Sequence, residues 1–244
     1  MKQILTYISP DKQFNKEHQM AVKIQIDNSL SLGWKREDIL LVTNFVYTYN
    51  GVMSIMVGDE NYCQHFFPAT KIYVIDTLFK AGLIDDLYWY HDFDCFQLNP
   101  FGEIKLGDAD MGLTQYGRMP RLCSSSIFFK PSAKDIFALL RKEIEERKIG
   151  EEEGTMRLRF EKVYQERIKL LDITYAFQKW NMWHCWNRAQ KPIKAVHFHL
   201  TPDKYDFYIN GNNEMHLLII PERLVDIFHK HGFKYETGDH NTNG

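Results

Sequence analysis

"YWYHDFDCFQL", residues 88–98, runs an aromatic, apolar segment straight into Asp92 and Asp94, two acids one residue apart. Two readings compete for that ending. Either a buried strand stops in a polar turn, or it delivers two carboxylates to a cation. Carboxylates so close repel, and one is driven toward its protonated form unless a cation or basic group answers it. The residues on either side decide between these readings. Just upstream, "ATKIYVIDTLFKAG", 69–82, puts Ile72, Ile75, Leu78 and Phe79 on one helical face. Thr70 is placed to cap its start, and Gly82 to take a left-handed position at its end. After a short turn, "DDLYWYHDFD", 85–94, reads as a strand.

The same alternation opens the chain. "QILTYIS", 3–9, is a β-rich apolar run stopped by Pro10; a helix over about 16–32 ends at Gly33; "DILLVTNF", 38–45, is a second strand. Strand, helix, strand, helix, strand is the order of a doubly wound α/β sheet, whose ligands bind at the carboxyl ends of the strands. Thr6–Ser9 and Asp92–Asp94 then share one rim. Further on, "SSSIFFK", 124–130, reads as a strand, and a helix follows from about Ser132 through Arg147. A charged loop at 148–156 and a helix of alternating charge to about Leu171 come next. "KAVHFHL", 194–200, is a short strand, and "PERLVDIFHKHG", 221–232, a helix with Pro at its start and Gly at its end. With no repeat and no linker, residues 1–236 are expected to form one domain, with halves at about 1–100 and 101–236, and 237–244 a frayed tail.

Composition narrows the class. With 44% hydrophobic and 25% charged residues in 244, the chain is an ordinary globular sequence. A formal charge of −2 gives no global pull toward nucleic acid or anionic membrane. Cys63, Cys95, Cys123 and Cys185 show no zinc spacing and read as reduced structural thiols. No signal segment or spanning run of about 18 apolar residues occurs, so a soluble, cytoplasmic setting is expected.

An Asp-x-Asp pair is a short pattern, and a second copy stands at Asp108 and Asp110. What distinguishes Asp92 and Asp94 is their place after a strong helix, a turn and an apolar strand. On extended backbone, side chains two apart point the same way, so both carboxylates can reach one ion. Oxygen ligands of this kind suit Mg²⁺ or Mn²⁺, which usually take substrate phosphate oxygens as well. In "AVHFHLTPDK", His197 and His199 share one strand face and Lys204 follows. His197 as a third ligand favours Mn²⁺, and Lys204 can neutralise a phosphate. "KWNMWHCWNRAQKPIK", 179–194, interleaves Trp180, Trp183 and Trp186 with Lys179, Arg188, Lys191 and Lys194. That pattern reads as helix core, or as faces for stacking sugars or unpaired bases.

The order of these pieces resembles a nucleotide-sugar glycosyltransferase of the GT-A fold, in particular the compact sugar transferases encoded by viruses and phages. Four stretches carry the likeness: "ILTYIS", "TKIYVIDTLFKAGLIDDLYWYHDFD", "CSSSIFFK" and "KAVHFHLTPDK". The resemblance implies a Rossmann-like mixed central sheet with helices on both faces, and a hexosyl- or pentosyltransferase activity. Asp92 and Asp94 match the family's DxD acids, and His197 its late histidine; with Mn²⁺ or Mg²⁺ they would hold the donor diphosphate, expected in a UDP-sugar. Thr6, Tyr7, Lys71, Asp92 and Lys204 would contact the donor. Where retaining members often carry Asn-Ser/Ala-Gly, this chain has Ser124-Ser125-Ser126. The acceptor would be a glycan, or a hydroxylated base of phage DNA presented outside the duplex. For the base of an inverting mechanism the candidates are Asp110, Asp172 and the Glu151–Glu153 loop, with Glu152 at its centre, each also readable as a solvated or capping acid. Alternatives on the same carboxylates are a nucleotidyltransferase, a sugar-nucleotide hydrolase, or a non-catalytic sugar-nucleotide binder.

Overall fold

A computed structural model describes residues 1–116, 122–147, 166–178, 185–198 and 220–232. At its centre lies β1 (Lys2–Tyr7), flanked in parallel by β2 (Ile39–Thr43) and β5 (Tyr88–His91). The hairpin β3 (Thr48–Tyr49) and β4 (Val52–Met56) extends one side of the sheet, and β8 (Leu122–Phe129), β7 (Met111–Gln115) and β9 (Ile168–Leu170) the other. The eight strands run in the order β3-β4-β2-β1-β5-β8-β7-β9. Parallel and antiparallel pairs mix: β8 runs antiparallel to both β5 and β7. This is the expected mixed central sheet.

Alternation along each central strand divides the core between its two faces. Ile4, Tyr88, Tyr90 and Ile127 pack under α2 (Thr70–Lys80) and α3 (Lys134–Arg147). Leu5 and Leu41 face α1 (Lys16–Ser31) on the other side. On that second side also lies a small sheet of β6 (Cys95–Gln97), β10 (Phe177–Gln178) and β11 (Ala195–His197), capped by α4 (Glu222–Lys230). All four cysteines are buried thiols. Among the described residues no helix is long and apolar enough to cross a membrane.

Three details depart from the sequence expectation. The hairpin at 48–56 interrupts the simple alternation; its turn, Asn50-Gly51, has φ of 48° and 81°. Asn-Gly with both residues left-handed is the tight hairpin connection that matches strand twist. Thr70 does not cap α2. A single 3₁₀ turn, Phe67–Ala69, leads into the helix, and the Thr70 hydroxyl instead accepts from the Cys63 amide. Residues 168–170, expected to be helical, form β9, because the exposed edge of β7 offers Ile168 and Leu170 a parallel partner. The charged stretch at 148–165 lies outside the described residues.

α1 carries an unusual load of buried polar side chains, among them Gln25, Asp27, Asn28 and Ser29. Each is matched by a partner, as burial without water requires. Asp27 accepts from Tyr49 Oη at 3.0 Å, Asn50 Nδ2 at 3.0 Å, Lys230 Nζ at 2.8 Å and His231 Nε2 at 2.8 Å. Burial pushes its pKa up, but the bonds from Lys230, His231, Asn50 and Tyr49 outweigh that and hold it below the usual carboxylate value. One carboxylate thus ties α1 to the hairpin and to α4. Asp27→Ala should cost about 2–4 kcal/mol in urea unfolding at pH 7, since it leaves several donors unanswered. A lowered carboxylate pKa stabilises above the unfolded value and is lost as pH falls through the folded one. The difference between wild type and variant should therefore shrink below about pH 4.

Candidate active site

β5 is almost wholly apolar because it is covered on both faces, and its pairing with β8 continues one step past its end: Asp92 N donates to Ser125 O at 3.0 Å. There the chain turns. Cys95 N donates to Asp92 O at 3.0 Å, closing a tight turn with Phe93 and Asp94 at its tip. The two carboxylates are therefore neighbours through a turn, and not through the two-residue period of a strand that the sequence suggested. Cys95 then starts β6, which leaves the central sheet for the small one.

The turn is held from beneath. His91 Nδ1 lies 3.2 Å from Asp92 O and 3.1 Å from Cys95 O. A carbonyl only accepts, so this nitrogen carries the proton. The ring stacks on Trp89 with centroids 3.9 Å apart. Burial pushes the His91 pKa down to about 4, so the imidazole is neutral at pH 7. From the other side, Gln25 of α1 donates its amide to Phe93 O at 2.8 Å and Cys95 O at 3.1 Å, and Asn28 donates to Gln97 O at 2.9 Å. The buried polar residues of α1 thus satisfy the backbone where it leaves the sheet.

Each acid has its own positive or donating partner. Asp92 has both oxygens 3.2 Å from Lys71 Nζ and accepts from Tyr90 Oη at 2.5 Å. Lys71, 4% exposed, also donates to Ser124 Oγ at 2.9 Å and Ser124 O at 3.3 Å. Asp94 Oδ1 lies 3.4 Å from His197 Nε2. Pairing of β11 with β6 sets that contact: His197 is opposite Cys95, and Phe198 N donates to Asp94 O at 3.0 Å. Burial works against charge on His197, but the Asp94 carboxylate, by its charge and its hydrogen bond, lifts the pKa to about 10. One ligand atom each from Asp92, Asp94 and His197 lies within 4.8 Å of the others. Two carboxylates and an imidazole are a donor set that suits Mn²⁺, and less selectively Mg²⁺.

A cleft of about 240 Å³ opens beside the acids. Thr6, Tyr7, Asp92 and Asp94, expected at the rim, and Lys71, expected near the donor, line it, together with Tyr90, Phe93, His18, Glu17 and Phe67. One wall is aromatic: Tyr7 stacks on Phe14 at 4.7 Å and meets His18 at 4.6 Å between centroids. Burial lowers the His18 pKa. Sequence reasoning missed His18, Phe67 and Phe93, which reach the cleft only when α1, the 3₁₀ turn before α2 and the turn after β5 are brought against β1.

Asp110 does not join this cluster. It precedes β7, where Met111 pairs with Phe129 and Phe129 with Tyr88, so it sits at the opposite end of the sheet from Asp92. There it is bound to Arg167 at 2.5 Å and to the Ser132 hydroxyl. Asp172 caps a 3₁₀ turn, accepting from Thr174 N at 2.8 Å and Gln190 N at 3.0 Å. Of the aromatic and basic stretch, Trp186 packs on Phe177 and lies under Lys191 at 3.9 Å. Glu152, Lys204, His199, Trp180 and Trp183 lie outside the described residues.

With this geometry in place, the fold is that of the GT-A glycosyltransferases. The galactosyltransferase LgtC, solved with donor and acceptor sugar analogues, superposes with a TM-score of 0.64 at 10% identity, over 94% of this chain and 96% of that one. A glycosyltransferase involved in glycosylation of the major capsid of PBCV-1 matches with 0.55 at 11% identity, over 84% and 97%. Mouse xyloside xylosyltransferase 1 matches with 0.51 at 11% identity, over 81% and 97%. No protein-family model and no curated protein matches the sequence.

His91, buried neutral, gives a direct test of how the turn is supported. A histidine whose pKa is lower folded than unfolded costs stability as pH falls below the unfolded value of about 6.5, because the unfolded chain takes up the proton first. Urea unfolding should show stability falling from pH 6.5 toward pH 4. His91→Gln, which keeps a donor for the two carbonyls but cannot titrate, should flatten that slope.

Proposed function

We propose that this chain is a divalent-metal-dependent glycosyltransferase that moves a sugar from a nucleotide-sugar donor to an acceptor hydroxyl. The observation that carries the proposal is the convergence of Asp92, Asp94 and His197, with both aspartates lining a cleft on the carboxyl rim of a GT-A sheet. In this reading the three side chains hold Mn²⁺ or Mg²⁺, and the aromatic wall at Tyr7 and His18 receives the nucleoside, with Thr6 beside it. When bound, the ion supplies Lewis-acid stabilisation of the leaving diphosphate, an effect of several kcal/mol. Lys71 pairs with Asp92 and adds positive potential where the diphosphate would leave, in a site partly shielded from water. Tyr90 fixes the orientation of the same carboxylate. Lys204 as a phosphate contact and Glu152 as a base remain part of the proposal from sequence. The donor is proposed to be a UDP-sugar.

For the acceptor, a glycan is favoured over a hydroxylated DNA base. Trp186 and Lys191 engage each other, Lys191 also donates to Trp186 O at 2.5 Å, and Lys194 Nζ donates to Pro100 O at 2.7 Å, so these groups are already engaged within the chain. With a net charge of −2 the chain also offers no overall attraction to a polyanion.

Asp92→Asn and Asp94→Asn should each lower Mn²⁺-dependent release of nucleoside diphosphate in the presence of acceptor by at least about a hundredfold. Each also takes the paired carboxylate charge from a buried partner, Lys71 or His197, and lowers the thermal midpoint, so turnover is compared at a temperature where circular dichroism shows both variants folded. Wild-type turnover in either variant would sink the metal-site reading. Ion binding should also depend on pH in a defined sense. His197 carries a proton up to about pH 10 without an ion, and a ligand nitrogen must give that proton up. Mn²⁺ affinity should rise by up to about tenfold per pH unit between pH 7 and 9, measured by calorimetry in two buffers of different ionisation enthalpy to count the proton released.

A further inference from the structure

His197 can ligate an ion through Nε2 only if its remaining proton sits on Nδ1, so whatever decides between its two neutral tautomers decides whether the site works. The group that faces Nδ1 is Gln178. It is fully buried on β10, directly opposite His197 in the parallel pairing with β11. Its amide nitrogen donates to Ala176 O at 2.8 Å and to Cys123 Sγ at 3.2 Å. A backbone carbonyl has no proton to give, so the nitrogen must face Ala176 and the oxygen must face the other way. That oxygen lies 3.2 Å from His197 Nδ1. An amide oxygen also only accepts, and so Nδ1 must be the donor. Cys123 Sγ, at 3.8 Å from the same nitrogen, is a longer and weaker partner.

We infer that Gln178 is a positioning residue: clamped by the carbonyl of Ala176, it selects the Nδ1–H tautomer of His197 and so presents Nε2 to the divalent ion. A backbone carbonyl dictates the amide's orientation, the amide dictates the imidazole's proton, and the imidazole's proton dictates its ligand atom. The inference rests on the metal-site reading above and deepens it. No metal contact is assigned to Gln178, so its effect must pass through His197.

The test reads ion binding without donor or turnover. Manganese titrations followed by electron paramagnetic resonance give the Mn²⁺ dissociation constant of the purified protein and its variants. Gln178→Met fills the same volume without an acceptor and should weaken Mn²⁺ binding about 10- to 100-fold. Gln178→Glu keeps an acceptor on Nδ1 but loses the donor to Ala176 O, and should bind Mn²⁺ more tightly than Gln178→Met though more weakly than wild type. His197→Ala and Asp94→Asn are the controls. If both controls bind Mn²⁺ as wild type does, or wild type binds none, the metal site itself is refuted and the inference goes with it. If His197→Ala loses affinity while Gln178→Met does not, the role of Gln178 alone is refuted. Should Gln178→Met fail to fold, ¹⁵N spectra of histidine-labelled wild type with Mg²⁺ decide the matter. At saturating Mg²⁺, a proton on Nδ1 of His197 with none on Nε2 supports the inference, and a neutral ring protonated on Nε2 overturns it.

Discussion

Two carboxylates held side by side at the end of a buried strand are an electrostatic cost, and much of the surrounding structure serves to meet it. Asp92 is answered by Lys71 and Tyr90, and Asp94 by His197. These partners come from three separate parts of the chain: the first turn of α2, the strand itself, and β11 of the small sheet. Lys71 is in turn held by Ser124, on the strand paired with β5. The local charge is thus balanced pair by pair, with each basic group buried at a fixed distance.

The same economy appears in the backbone. Where β5 ends and the chain crosses from the central sheet to the small one, Phe93, Cys95 and Gln97 have carbonyls that neither sheet fully engages. Gln25 and Asn28 of α1 take them up, and His91 supports the turn from within. The position of the two acids is accordingly set by buried hydrogen bonds with little solvent access. Such bonds are stronger and less forgiving than exposed ones.

How much of this could be read from the sequence follows from the range of the interactions. Strands such as 3–9 and 85–94 and the helix at 70–80 were legible because their periods are local and their apolar faces clear. The acid pair was legible as a pattern, and its rim position followed from the alternation of elements. The Asn50-Gly51 turn carries an equally local signal, because both positions favour a left-handed backbone. By contrast, the polar face of α1 reads as a solvated surface until one knows that Gln25 and Asn28 meet an unfinished sheet. Nothing local marks Asp110 as a partner of Arg167, 57 residues away, or His18 as a wall of the cleft. Gln178 belongs to the same class: a two-residue strand carries no periodic signal, and its importance lies wholly in what stands opposite.

The clasp around Asp27 bears on the order in which the molecule can assemble. Lys230 and His231 reach it from α4, and Arg223 of the same helix reaches Asn28 at 2.6 Å and Leu98 O at 2.5 Å. A helix formed from residues 16–31 therefore waits for partners some two hundred positions later before its inward side is complete. During synthesis the emerging N-terminal half would expose that side on the ribosome until residues 223–231 had been made. The central strands can pair early, but the second layer closes late, and contacts of such long sequence separation are the slow ones to form.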